Sequence, residues 1–144
     1  MLRALFAALL FVPLAFASAG AMEKHRLALQ ISDNDAVKMN AVLNVAANVS
    51  KYYSDQGDEA EIQIVAFNAG LNMLRQDKSP VLDRLKSFKQ GMPNVAFIAC
   101  ENTLETMTRN EGKEPPLVDN AVRVKAGVVT LIELGEKGWT IIRP

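Results

Sequence analysis

From Ala36 to Asp55 the polar residues Asn40, Asn44, Asn48, Lys51 and Asp55 recur at spacings of four and three. Met39, Val42, Leu43, Ala46, Val49 and Tyr53 fill the complementary face, which is the period of an amphipathic helix. The segments on either side carry a strand signature instead. "HRLALQIS", His25 to Ser32, is a short apolar run ending in the turn-forming, cap-rich SDND. "EIQIVAF", Glu61 to Phe67, alternates and then becomes wholly apolar, as a strand buried on both faces does.

The same alternation of elements continues. Asn68 is a candidate cap for a short helix over "NAGLNMLRQ", and Pro80 after Ser79 predicts a helix that ends at Gly91. "NVAFIAC" reads as the third strand. Asn102 and Glu105 have capping-box spacing, which predicts a helix from Thr103 to about Asn110, with Cys100 two residues ahead of the cap. Two prolines stop that helix, and Glu111 to Asn120 is a candidate lid or intersubunit arm. Ala121 to Lys125 is a fourth strand and "WTIIR" a last one. Between them, Val128, Val129 and Thr130 favour a strand by propensity, whereas Val128, Leu131 and Ile132 fit a helix face. Strands alternating with helices predict a three-layer α/β/α domain with a mostly parallel sheet of about five strands.

The amino terminus changes the picture of where this domain works. Arg3 precedes an uncharged apolar stretch, Ala4 to Ala17, and small residues with A-x-A spacing follow. The expectation is a cleavable leader over residues 1–21, one domain over 22–144, and a periplasmic or secreted protein. The apolar stretch is short for a spanning helix, so no membrane attachment is expected after cleavage. Without Arg3 the chain holds 15 basic residues (16 minus 1) against 16 acidic ones. That balance argues against nucleic acid or an anionic membrane as partner.

Candidate chemistry converges on Cys100, the only cysteine, at the end of the third strand. Ligands and reactive groups of parallel sheets gather at the carboxyl ends of strands. A single cysteine forms no disulfide within the chain, so in an oxidising compartment it is buried and inert, paired between chains, or a working thiol. Asn68 and Gly70 end the second strand at the same sheet edge, and Glu101 and Asn102 follow the cysteine. These four are binding candidates, with a capped turn that needs glycine as the plainer account of the first two. Glu101 disfavours a thiolate if its carboxylate turns toward the sulfur. His25, the only histidine, stands beside the expected cleavage site, and no Cys/His cluster has ligand spacing. No metal and no other cofactor are expected.

Taken in order, Phe67 to Leu74 (Phe-x-x-Gly and a leucine-rich turn), Cys100 followed by Asn-Thr-Leu, and the closing "AGVVTLIELGEKGWTIIRP" resemble the DsrE/DsrF-like family. The resemblance covers essentially the whole expected mature chain. It implies that the ambiguous tail is a helix over about Gly127 to Glu136 followed by a strand. It also implies assembly as a homo-oligomer, a trimer or hexamer, and a sulfur-relay role in which Cys100 accepts sulfur as a persulfide and passes it on. A sulfur donor or acceptor protein is then the expected partner. The alternative is a non-catalytic oligomeric module that binds a small ligand or protein and has a structural Cys100. Two departures from the family pattern are the export leader and Glu101, where many relatives have glycine.

Overall fold

The computed structural model describes residues 23–144; the expected leader lies outside them. Five strands, β1 (Lys24–Ile31), β2 (Glu59–Ala66), β3 (Val95–Cys100), β4 (Ala121–Val124) and β5 (Thr140–Ile142), form one sheet in the order β4-β3-β2-β1-β5. Every pairing is parallel. The helices are α1 (Ala36–Asp55), α2 (Leu82–Gly91), α3 (Glu101–Glu111) and α4 (Gly127–Glu136), with a 3-10 helix over Asn68–Leu74. The fold is the expected three-layer α/β/α arrangement. No helix among the described residues is long and apolar enough to cross a membrane.

The order of strands decides which helix covers which face. From β1 to β4 the chain steps in one direction across the sheet, so right-handed crossovers put α1, α2 and α3 on one side. The connection from β4 to β5 returns past the whole sheet, and the same handedness puts α4 on the other side. On the first face Leu29, Ile62, Ile64 and Phe97 pack with Met39, Val42, Leu43 and Ala46 of α1, Leu85 and Phe88 of α2, and Leu104 of α3. On the second, Ala28, Val65, Ile98 and Cys100 meet Leu131 and Leu134 of α4 and Trp139.

Local differences from the sequence expectations have identifiable causes. Helix α1 has the expected bounds, with Asp35 Oδ1 accepting from the N–H groups of Val37 and Lys38 at 2.7 and 3.0 Å. Its Asn40 and Asn44 do more than face solvent, because both accept hydrogen bonds from the Arg84 guanidinium of α2. Helix α2 starts at Leu82 rather than at Pro80. The Ser79 hydroxyl accepts from Val81 N–H at 3.3 Å and closes a turn first. The segment after α3 is no free lid. Gln76 N–H donates to the Pro116 carbonyl, Val118 N–H donates to the Leu74 carbonyl, and Arg75 bridges to Leu117.

Candidate functional site at the carboxyl end of β3

Helix α3 follows β3 without a linker. Its first residue is Glu101, so the residue in the N-cap position is Cys100 itself, with an extended backbone at φ −75° and ψ 115°. This corrects the expected cap at Asn102. Asn102 is already inside the helix, and its N–H donates to the Lys125 carbonyl at 3.3 Å. The capping-box reading failed because β3 runs straight into the first helical turn, and the residue just after β4 supplies the missing backbone partner.

Cys100 pairs in register with Val124 at the end of β4. The chain leaves β3 toward the α3 side of the sheet and leaves β4 toward the α4 side. The cysteine therefore sits where adjacent connections part in opposite directions, the crevice position of open α/β sheets. Gly127 opens α4 directly against this point. A Cβ placed there would stand 3.3 Å from the Cβ atoms of Cys100 and Phe67 and from Val65 Cγ1. The missing side chain lets the first turn of α4 approach the cysteine.

Burial pushes the Cys100 thiol up, but more acts in the other direction. The N–H of Gly127, the hydroxyl and N–H of Thr103 and the N–H of Asn102 all favour the ionised sulfur, and the net value falls below that of an ordinary thiol. The sulfur makes no capping hydrogen bond in the strict sense. The donors act as the positive ends of two helices directed at one atom. Thr103 is itself held in place, since its Oγ1 accepts from Asn68 N–H at 2.9 Å. Asn68 does not cap the 3-10 helix with its side chain. It begins that helix at φ 49°, a left-handed conformation that asparagine tolerates, and this aims its N–H at Thr103.

The remaining candidates separate. Gly70 is buried against the end of β1 and is a packing residue rather than a lining one. Glu101 is half-buried and helps line a groove of about 460 Å³ with Leu104, Arg109, Glu114 and Arg123. Lys125 is the cation nearest in role, though its Nζ is engaged by Glu105 at 2.8 Å. Cys100 is only 5% exposed, more enclosed than a partly shielded cleft residue. A broader cavity of about 820 Å³ lies at the amino ends of the strands, beside Lys24, Ser50, Lys51 and Asn94, and takes no part in this site. Thr103 and Gly127 were missed by sequence reasoning. The capping-box assignment displaced the first by making Asn102 the cap, and nothing local marks the second as touching a cysteine 27 positions earlier.

Gly127→Ala is expected to push α4 outward by a few tenths of an ångström, because its neighbours are side chains of β2, Phe67 and Cys100 packed in the core. The cost is about 1 kcal/mol. Gly127 N–H then retreats from the sulfur, so the midpoint of the pH profile for alkylation of native protein should rise. A profile identical to wild type would remove Gly127 from the thiol's environment.

No family model and no curated protein matches this chain. Among solved structures it is similar to MTH1491, a protein of unknown function from Methanobacterium thermoautotrophicum. The TM-score is 0.67 at 27% identity, over 83% of this chain and 99% of that one.

Proposed function

We propose that this protein is an exported DsrE/DsrF-like sulfur carrier that holds sulfur as a persulfide on Cys100. The observation that carries the reading is the meeting of two helix amino termini, α3 and α4, on one strand-end cysteine whose thiolate they favour. In the step this supports, Cys100 Sγ attacks the terminal sulfane sulfur of a donor persulfide. A new S–S bond forms on Cys100, the donor's S–S bond breaks, and the donor leaves as a thiolate with the electron pair. No external oxidant is needed. Transfer to an acceptor thiolate reverses the same exchange. Work in the periplasm or outside the cell, and assembly as a trimer or hexamer, belong to the same proposal. An apolar stripe on the outer face of α4, Val128, Val129 and Ile132, supports self-association, since each is half exposed or more.

The second reading, an oligomeric binding module with a structural cysteine, is favoured by the enclosure of Cys100 in the cluster with Val65, Phe67 and Ile98. Intact-mass measurement after exposure of the native protein to a small sulfane-sulfur donor separates the two. The carrier gains one sulfur atom, removed by reductant and absent from Cys100→Ser. It also reacts natively with a small alkylating reagent. A protein that gains nothing, and whose cysteine labels only in denaturant, is the binding module.

A further inference from the structure

At the end of the sheet opposite Cys100, Glu23, His25 and Asp58 bring two carboxylates and an imidazole together, with one ligand atom from each within 4.8 Å of the others. The strand register is responsible. Lys24 stands opposite Glu59, so the residues entering β1 and β2 are brought side by side. The Glu23 backbone and the His25 and Asp58 side chains are held by contacts of their own. Glu23 N–H donates to Asp58 Oδ1 at 3.2 Å, and the Glu23 carbonyl accepts from Glu59 N–H at 3.0 Å. The His25 ring stacks on Tyr53, with centroids 3.6 Å apart and planes 13° from parallel, which fixes the plane of the ring. The other Asp58 oxygen, Oδ2, lies 3.4 Å from His25 Nε2.

That distance is long for a hydrogen bond, for which N···O falls at about 2.7–3.2 Å. It fits the edge of a tetrahedron around zinc, about 3.3–3.6 Å when the metal lies about 2.0–2.2 Å from imidazole nitrogen and carboxylate oxygen. We propose that Glu23, His25 and Asp58 form a binding site for a divalent transition cation of the zinc type. His25 Nε2 and one oxygen of each carboxylate are the ligands, and water completes the shell. An imidazole among the ligands selects against magnesium and calcium, which prefer an all-oxygen set, while copper(II) competes with zinc. The side chains of His25 and Asp58 are 27% and 26% exposed, so the ion enters directly from solvent. Lys24, the adjacent cation, is drawn to Glu61 at 3.0 Å and leaves the pair of carboxylates to the metal. Bound there, the ion ties the start of β1 to the turn between α1 and β2 and stabilises the fold by mass action. The site is independent of the thiol chemistry at the far end of the sheet.

The test is calorimetric titration of the tag-free protein with Zn²⁺, followed in parallel through the ring-proton resonances of its single histidine. The expected result is one zinc per chain with micromolar affinity and displaced His25 resonances. Asp58→Asn keeps the shape and the acceptor for Glu23 N–H, and should weaken binding by about tenfold or more, as should His25→Ala. Cys100→Ser should bind as wild type does, so the result stands apart from the sulfur-carrier reading. Absence of binding at submillimolar zinc, equal binding by Asp58→Asn, or unmoved His25 resonances would overturn the proposal.

Discussion

Replacing Gly70 by alanine is expected to destabilise the protein by about 3 kcal/mol, near the upper end of the usual cost of overpacking. In a domain of this length that corresponds to a fall in Tm of about 10 °C. The added Cβ would overlap the Ile31 carbonyl oxygen and stand 2.6 Å from its carbon and 2.8 Å from Ser32 Cα. All three are backbone atoms at the end of β1, so no rotamer change relieves the clash. The 3-10 helix must instead move off the sheet. Its buried Leu71, Met73 and Leu74 move with it, as does Asn68, which orients Thr103. Gly91→Ala is the matched control. Nothing lies within 4 Å of a Cβ there, and the residue ends α2, so the change should be neutral or stabilising by about 0.5 kcal/mol. Urea denaturation of the two variants decides the matter, and equal midpoints would refute this account of Gly70.

The second large effect is expected at Arg75, a guanidinium only 1% exposed. Its Nε and Nη2 donate to the two Asp77 oxygens at 2.9 and 2.8 Å, and Nη1 and Nη2 donate to the two Glu111 oxygens at 2.6 and 2.9 Å. This double fork joins the end of the 3-10 helix to the end of α3. Arg75→Met should cost about 2 kcal/mol, less than the usual penalty for breaking a buried pair, because both carboxylates reach water and rehydrate. Removing the carboxylates instead, in Asp77→Asn with Glu111→Gln, should cost more, because it strands a buried charge that cannot lose its proton. A double variant as stable as Arg75→Met would show that the guanidinium has other means of solvation.

The same fork predicts acid sensitivity. Arg75, with a smaller contribution from Lys78, holds the Glu111 carboxyl down to about 2, against an ordinary value of 4.5. Asp77 is also lowered, chiefly by its hydrogen bonds from Arg75. A folded value below the unfolded one means that the unfolded chain binds the proton first as pH falls. The contribution is therefore complete above the unfolded value and is lost as pH falls from about 4.5 toward 2. Wild type should lose more stability than Arg75→Met between neutral pH and pH about 3. Parallel urea curves at the two pH values measure the difference.

Periodicity by itself determined most of the scaffold. The asparagine-lined stripe fixed α1 to its first and last residues, because helix amphipathicity is written at spacings of three and four. The apolar runs of β1, β2 and β3 were legible because a central parallel strand buries both faces. Propensity failed for Val128 and Val129, whose β-branched side chains favour a strand in isolation. There the burial of Leu131 and Leu134 against the sheet outweighs a fraction of a kcal/mol per residue. The tertiary structure decided the rest, since it depends on which distant segments meet. Cys100 gains its environment from Thr103 and Gly127 only because α3 and α4 leave neighbouring strands toward opposite faces. Arg75 is buried only because α3 ends beside the 3-10 helix. His25 meets Asp58, 33 residues later, only through the register of β1 on β2. Sequence patterns record the period of a local element, whereas a site is made by the pairing of strands and the handedness of crossovers, which bring together residues with no short-range relation along the chain.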